Sequence, residues 1–133
     1  PKPNKNYHAD THNKLYLENI LVASVEEVKN NFKRFGLLDS NIIFIEGLFK
    51  DTLPIAPIDK IALLRVDCDM YESTINALSC LYQKVVKGGF VIIDDYNAFN
   101  ECKLAVEHFR EMQGIIEPII EIDREAVYWQ ITD

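Results

Sequence analysis

Three apolar runs of strand length recur along the chain, at residues 41–46, 61–66 and 90–93. Apolar side chains are nearly continuous in each run, without the alternation expected when one face of a strand meets water. Such runs predict strands that are buried on both faces, as in a parallel sheet covered by helices. The pattern therefore favours an α/β protein.

Three other stretches have apolar side chains at helical spacing, at residues 24–35, 71–86 and 100–113. Ser24 and Glu27 have the spacing of a capping box, and Asn100 is the predicted N-cap of the last helix. The predicted helix terminators are all glycines: Gly36, Gly88-Gly89 and Gly114. Helices and strands therefore alternate through most of the chain.

The end of the chain predicts an antiparallel hairpin, because strand-like runs at 115–122 and 126–132 flank a polar turn. Pro118 places the start of the first of these strands after it. Residues 48–60 contain two prolines and are predicted to be a loop, and polar residues 1–23 a loop or lid with a short helical piece. Residues 1–133 then form one α/β domain with a parallel centre and a hairpin at one edge.

Acidic residues follow two of the predicted strands at the point where each ends. Asp67 and Asp69 come after residues 61–66, and Asp94-Asp95 come after residues 90–93. Ligands of open α/β sheets bind beyond the carboxyl ends of the strands, and Mg²⁺ prefers carboxylate oxygens. We therefore expect Asp67, Asp94 and Asp95 to form a metal or ligand site. Asp69 has an alternative role as the cap of the next helix, and the lysines considered as neutralising partners are Lys50 and Lys103.

Charge and composition narrow the class of partner. The formal net charge of −7 disfavours nucleic acid and anionic membranes as partners, since both need clustered basic residues. No run of about eighteen apolar residues is present, and the predicted location is cytoplasmic. The three cysteines form no C-x-x-C pair, and Cys80 and Cys102 are predicted to be small buried hydrophobes.

Histidines give a weaker signal. His8 and His12 lie in the polar N-terminal segment, where solvated side chains are the ordinary interpretation; the alternative is a lid that takes a proton from substrate. His108 lies on a predicted surface helix and is assigned no role. No P-loop, zinc spacing or nucleophile elbow is present.

Five stretches together resemble the macrocin O-methyltransferase family, and the likeness extends from about Tyr16 to Trp129. They are FKDTLPIAPI at 49–58, LRVDCDMYEST at 64–74, GGFVIIDDY at 88–96, AVEHFR at 105–110 and IDREAVYW at 122–129. The resemblance implies a Rossmann-like class I methyltransferase sheet. It further implies an enzyme that uses S-adenosylmethionine and Mg²⁺ to methylate a sugar hydroxyl of a macrolide-like or other glycosylated small molecule.

The resemblance also implies roles for particular residues. Asp67, Asp94 and Asp95 match the metal ligands, which hold an ion that binds two adjacent sugar hydroxyls and lowers the pKa of one. Residues 47–49, which are Gly47, Leu48 and Phe49, match the region that packs on the adenine of the cofactor. Catechol-type relatives place a lysine base where this chain has Met70. The base is then Asp67 itself or a lid histidine such as His12.

The resemblance further implies that residues 1–133 are the C-terminal portion of a methyltransferase domain, without the first two strands of the sheet and their Gly-rich loop and ribose-binding acid. In the usual strand order 3-2-1-4-5-7-6, the gap falls between the strands at residues 41–46 and 61–66. An exposed apolar edge favours a homo-oligomer. The alternative function is a catalytically inactive remnant that serves as a binding or oligomerisation module. A receiver-type phosphoryl-transfer domain is disfavoured, because no lysine closely follows a later strand.

Overall fold

The computed structural model describes residues 23–132, which contain four strands and four α-helices. The helices are α1 (Val25–Arg34), α2 (Phe49–Thr52), α3 (Tyr71–Leu81) and α4 (Asn100–Gln113). The strands are β1 (Ile61–Val66), β2 (Val85–Ile93), β3 (Ile120–Glu121) and β4 (Val127–Gln130). Short 3₁₀ turns follow α2 and α3, at Leu53–Ile55 and Tyr82–Lys84. The predicted lid and helical piece within residues 1–22 lie outside this description.

The strands form one mixed sheet in the order β1-β2-β4-β3. β1 and β2 are parallel, and the pairs β2–β4 and β3–β4 are antiparallel. The predicted α/β class, with a parallel pair and a C-terminal hairpin, is confirmed. The hairpin strands are shorter than predicted, and the first begins after Pro118 as expected.

One face of the sheet is covered by α3 and α4, and this layer is the hydrophobic core. Trp129, Val91, Ile93 and Leu78 have no exposed surface there. On the other face, Leu63 is 55% exposed and Phe90 is 37% exposed. The prediction of burial on both faces is therefore wrong for the described residues. We call the side that carries Leu63 and Phe90 the open face.

The predicted strand at residues 41–46 is absent: the segment pairs with no strand in residues 23–132, and Ile43 is exposed. β-Branched residues favour a strand only when a neighbouring strand is available for pairing. Here the segment instead lies against α1, where the rings of Phe32 and Phe44 meet edge to face at 5.5 Å. α1 itself has the predicted capping box, with Ser24 as N-cap and Glu27 as its partner.

The boundary between α3 and β2 differs from the prediction. α3 ends at Leu81 rather than near Val86, and β2 begins at Val85 and continues through Gly88-Gly89. Val85 and Val86 are β-branched, which favours the strand, although they also fit the helical spacing. Gly89 is required there, because a Cβ would lie 2.8 Å from the Val86 carbonyl oxygen and 2.9 Å from that of Ala62. The two glycines are therefore part of the strand and not a helix stop.

Smaller differences concern helix ends and loops. Phe99, one residue before the predicted Asn100, is the N-cap of α4, whereas Gly114 ends this helix in the left-handed conformation as expected. The predicted loop 48–60 contains α2 and a 3₁₀ turn. Cys102 is fully buried as predicted, whereas Cys80 is only partly buried.

Candidate functional site

The carboxyl ends of β1 and β2 lie side by side. Val66 pairs with Ile93 in the parallel register, and the Asp94 amide donates to the Val66 carbonyl oxygen at 2.9 Å. The acids that follow each strand are therefore brought to the same edge of the sheet, because β1 and β2 end at the same level.

Three carboxylates converge at this edge. Asp67, Asp69 and Asp95 each offer an oxygen, and these oxygens all lie within 4.8 Å of one another. The Asp69 amide also donates to Asp95 Oδ2 at 3.4 Å. We call these three residues the acid cluster. Oxygen donors at this spacing are of the kind that hold Mg²⁺ in proteins.

Asp69 enters the cluster through an unusual backbone conformation. Its φ is 55°, the left-handed region that few residues other than glycine adopt, although Asp tolerates it better than most. The N-cap of α3 is Met70, and no side chain caps that helix. The interpretation of Asp69 as a helix cap is therefore wrong.

Arg65 is the residue that sequence reasoning missed. Its Nη1 lies 2.8 Å from Asp67 Oδ2, and its Nη2 lies 2.8 Å from Asp94 Oδ2. Asp94 is thus held by Arg65 and stands outside the three-carboxylate group. The sequence contained the signal, because Arg65 lies near the end of the predicted strand, two positions before Asp67. Lys103, which was considered as a neutralising partner, instead lies over the Tyr96 ring at 5.2 Å.

The electrostatics of the cluster favour a bound cation. Burial, together with the negative charges of Asp69 and Asp67, raises the pKa of Asp95 to about 6. Burial and the charge of Asp67 also raise the pKa of Asp69. Because these shifts arise from desolvation and like-charge repulsion, a cation among the oxygens would relieve them.

The two cysteines near the acid cluster, Cys68 and Cys102, are chemically inert. Burial raises the pKa values of the Cys68 and Cys102 thiols to about 12, so both remain protonated and unsuited to nucleophilic attack. Thr74, which is close to Cys102, is fully buried. The chemistry of the edge therefore rests on its carboxylates.

A polar contact outside the acid cluster joins α3 to α4. The Tyr71 hydroxyl and His108 Nδ1 lie 3.0 Å apart, and their rings meet at 5.8 Å. Sequence analysis assigned His108 no role, because a single histidine on an exposed helix gives no signal of a partner thirty-seven positions away. The contact ties the start of α3, just after the acid cluster, to the middle of α4.

The predicted cofactor residues form the approach to α2. Gly47 has φ 143°, which side-chain-bearing residues rarely adopt, and a Cβ there would meet Thr52 Cγ2 at 2.5 Å. Leu48 is the N-cap of α2, and Phe49 is its first residue. Both side chains are partly exposed, at 44% and 39%. Their role in cofactor binding stays a prediction, and His12 lies outside the described residues.

The fold matches that of enzymes of known structure. The solved structure "Structure of the O-methyltransferase NovP" superposes with a TM-score of 0.96 at 46% identity, over 100% of this chain and 56% of that chain. The apo structure of CalS11, a TDP-rhamnose 3'-O-methyltransferase, matches with a TM-score of 0.64 at 21% identity, over 84% of this chain and 55% of that chain, and supports the fold alone. The fold is thus that of an O-methyltransferase.

The family model for Macrocin-O-methyltransferase (TylF) matches residues 1–131, and the chain belongs to this family. Among its relatives, the demethyldecarbamoylnovobiocin O-methyltransferase of Streptomyces niveus is 51% identical over 85% of this chain. The mycinamicin III 3''-O-methyltransferase of Micromonospora griseorubida is 46% identical over 83% of this chain. Each match covers 43% of the relative, so the chain spans less than half the length of these enzymes.

The described helices give no sign of a membrane span: none in residues 23–132 combines the length and the apolarity needed to cross a bilayer. The longest of them, α4, has fourteen residues and a charged outer side.

Proposed function

We propose that the protein takes part in S-adenosylmethionine- and Mg²⁺-dependent methylation of a sugar hydroxyl on a glycosylated small molecule. The observation that carries the proposal is the convergence of carboxylates at the parallel strand ends of a chain from the macrocin O-methyltransferase family. The names of its relatives support the substrate class, since they include transferases of methyl groups to mycinamicin III and to a rhamnosyl tetracenomycin.

The proposed metal ligands are Asp67, Asp94 and Asp95, with Asp69 beside them. Two of these ligands, Asp67 and Asp95, offer oxygens within 4.8 Å of each other and of Asp69, at the rim of the sheet where water can complete the coordination of Mg²⁺. The third, Asp94, is held by Arg65. A Mg²⁺ ion held there would supply Lewis acidity, which lowers the pKa of a bound sugar hydroxyl.

The proton of that hydroxyl needs an acceptor. The proposed candidates are Asp67 and His12, and the structure adds Asp69, whose carboxylate lies in the acid cluster instead of capping α3. Met70, which follows Asp69, has no basic group. A carboxylate is therefore the acceptor that the described residues support best.

The methyl donor is proposed to lie against Gly47, Leu48 and Phe49. The partly exposed side chains of Leu48 and Phe49 offer an apolar surface for a flat ring, and the left-handed turn at Gly47 directs the chain into α2. The sequence-based proposals of a homo-oligomer and a cytoplasmic location accompany this function. The open face, with Leu63 and Phe90, is the surface that favours association.

A second candidate function is a binding or oligomerisation module without activity. The specific observation in its favour is the same open face, where Leu63 and Phe90 are exposed. Light scattering coupled to size-exclusion chromatography, run beside a methyl-transfer assay with glycosylated acceptors, separates the two. The assay is repeated after addition of the part of a relative that this chain does not match. A stable dimer that still shows no methyl transfer favours the module.

Calorimetric titration tests the metal site directly. Mg²⁺ is titrated into the wild-type chain, into the Asp94→Ala/Asp95→Ala variant and into a control, Asp59→Ala/Glu111→Ala, which removes two exposed acids from other parts of the fold. We expect the first double variant to lose binding and the control to keep it, because only the first removes ligands. Equal binding by all three proteins would refute the metal assignment.

A further inference from the structure

Arg65 links the ends of the two parallel strands. It lies at the end of β1 opposite Ile92 of β2, and its two terminal nitrogens contact Asp67 and Asp94, one on each strand end. Asp67 is shared, because it belongs both to this bridge and to the acid cluster. The guanidinium therefore lies beside the oxygens proposed to hold the metal ion.

The charges at this edge are unequal. One arginine lies beside four carboxylates, which are those of Asp67, Asp69, Asp94 and Asp95. Within residues 23–132, the salt bridges to these acids come from Arg65 alone. The side chains of Arg65 and Asp67 are each 50% exposed, and that of Asp94 is 35% exposed. Ion pairs with this much water contact are weak, so a doubly charged ion can replace one of them.

We propose that Arg65 is the built-in counter-cation of this edge. It holds Asp67 and Asp94 in the metal-free protein and releases Asp94 when a divalent ion binds. The need to displace Arg65 from Asp94 lowers the affinity of the site for that ion. This inference rests on the proposed metal site. Asp94 Oδ2 is in direct contact with Arg65, so an ion that takes this oxygen must compete with the guanidinium. Arg65 is thus a positioning residue that sets how much free Mg²⁺ the site requires.

The first test compares Mn²⁺ and Mg²⁺ binding by calorimetry in the wild-type chain and in Arg65→Met, which keeps much of the bulk but removes the charge. We expect Arg65→Met to bind about tenfold more tightly, as expected when a unit charge is removed from beside a doubly charged ion near water. Arg65→Lys, which keeps the charge, should remain near the wild type. Lys87→Met is the control, because it removes an exposed positive charge near the start of β2, whereas Asp94 follows the other end of this strand.

The second test follows Arg65 itself in the wild-type protein. The side-chain N–H signals of Arg65, assigned in NMR spectra by their loss in Arg65→Lys, should shift and broaden as Mg²⁺ is added, because the bridge to Asp94 opens and the freed N–H groups exchange faster with water. The gain in affinity of Arg65→Met should also shrink at high salt, where charge repulsion is screened. A purely structural role for Arg65 would produce neither effect.

The outcomes separate this role from the metal site. Equal or weaker ion binding by a folded Arg65→Met variant, or Arg65 signals that ignore Mg²⁺, overturns the role of Arg65 and leaves the metal site standing. Failure of both the wild type and Arg65→Met to bind either ion overturns the metal site and this role together. Arg65→Gln serves as a second neutral variant if Arg65→Met does not fold.

Discussion

Removal of the Asp95 charge should stabilise the metal-free protein at neutral pH. Burial and neighbouring acids raise the pKa of Asp95 from the ordinary value of 3.8 to about 6, so the ionised form is disfavoured in the folded state. A difference of this size corresponds to about 3 kcal/mol. Asp95 keeps part of its contact with water, which screens its neighbours, and we expect Asp95→Asn to raise the free energy of unfolding by about 1 kcal/mol.

The sign of the pH dependence follows from the direction of the shift. Above a pH of about 6, folded Asp95 is ionised and its full cost is present; as the pH falls from 6 toward 3.8, the folded state takes up the proton first and the cost disappears. The advantage of Asp95→Asn should therefore be complete at about pH 7.5 and much smaller at about pH 4.5. The asparagine oxygen can still accept the hydrogen bond from the Asp69 amide.

Urea unfolding with a chelator present measures this effect. Asp59→Asn is the matched control, since it removes one negative charge from an exposed position before β1. A loss of stability in Asp95→Asn at neutral pH, or a gain that is the same at both pH values, would contradict the reasoning about burial and charge. An equal gain in Asp59→Asn would show that net charge, rather than the acid cluster, is responsible.

Three further predictions concern the scaffold. Gly89→Ala should destabilise by about 2 kcal/mol in urea unfolding, because its Cβ would meet the Ala62 and Val86 carbonyl oxygens, whereas Gly114→Ala, with open space but φ +66°, should cost about 1 kcal/mol. Trp129→Ala should lower the free energy of unfolding by about 4 kcal/mol, because the Trp129 side chain is fully buried and its removal leaves a cavity in the core. A loss below about 1 kcal/mol would refute the place of Trp129 in the core. Ser24→Ala should speed amide hydrogen exchange in α1 about fivefold by removing about 1 kcal/mol of capping, with α4 amides as the internal reference.

The acid-tipped strands were predictable from sequence because two independent signals agree there. Each apolar run is long enough to be a strand and ends abruptly in acids, and parallel pairing brings such ends together. That much requires no knowledge of the loops. Arg65 was also predictable as a partner, since it lies on β1 two positions before Asp67, close enough in sequence for their side chains to pair.

Features that depend on partners distant in sequence were not predictable in the same way. Residues 41–46 have the composition of a strand, yet composition does not supply a neighbouring strand for pairing. Val85 and Val86 satisfy helical spacing as well as β propensity, and the choice of strand depends on pairing with β1. The contact between Tyr71 and His108 likewise depends on how α3 and α4 pack.

The left-handed backbone at Asp69 determines which substitutions at this position can be interpreted. An alanine there would remove the carboxylate and also strain the chain, since a residue without a polar side chain tolerates φ 55° poorly, so loss of function would have two causes. Asparagine adopts this conformation readily, has nearly the same shape as aspartate, and replaces the charged carboxylate by a neutral amide. Glycine would relieve the backbone while deleting the side chain. The pair Asp69→Asn and Asp69→Gly therefore separates electrostatics from geometry at the point where the chain turns from β1 into α3.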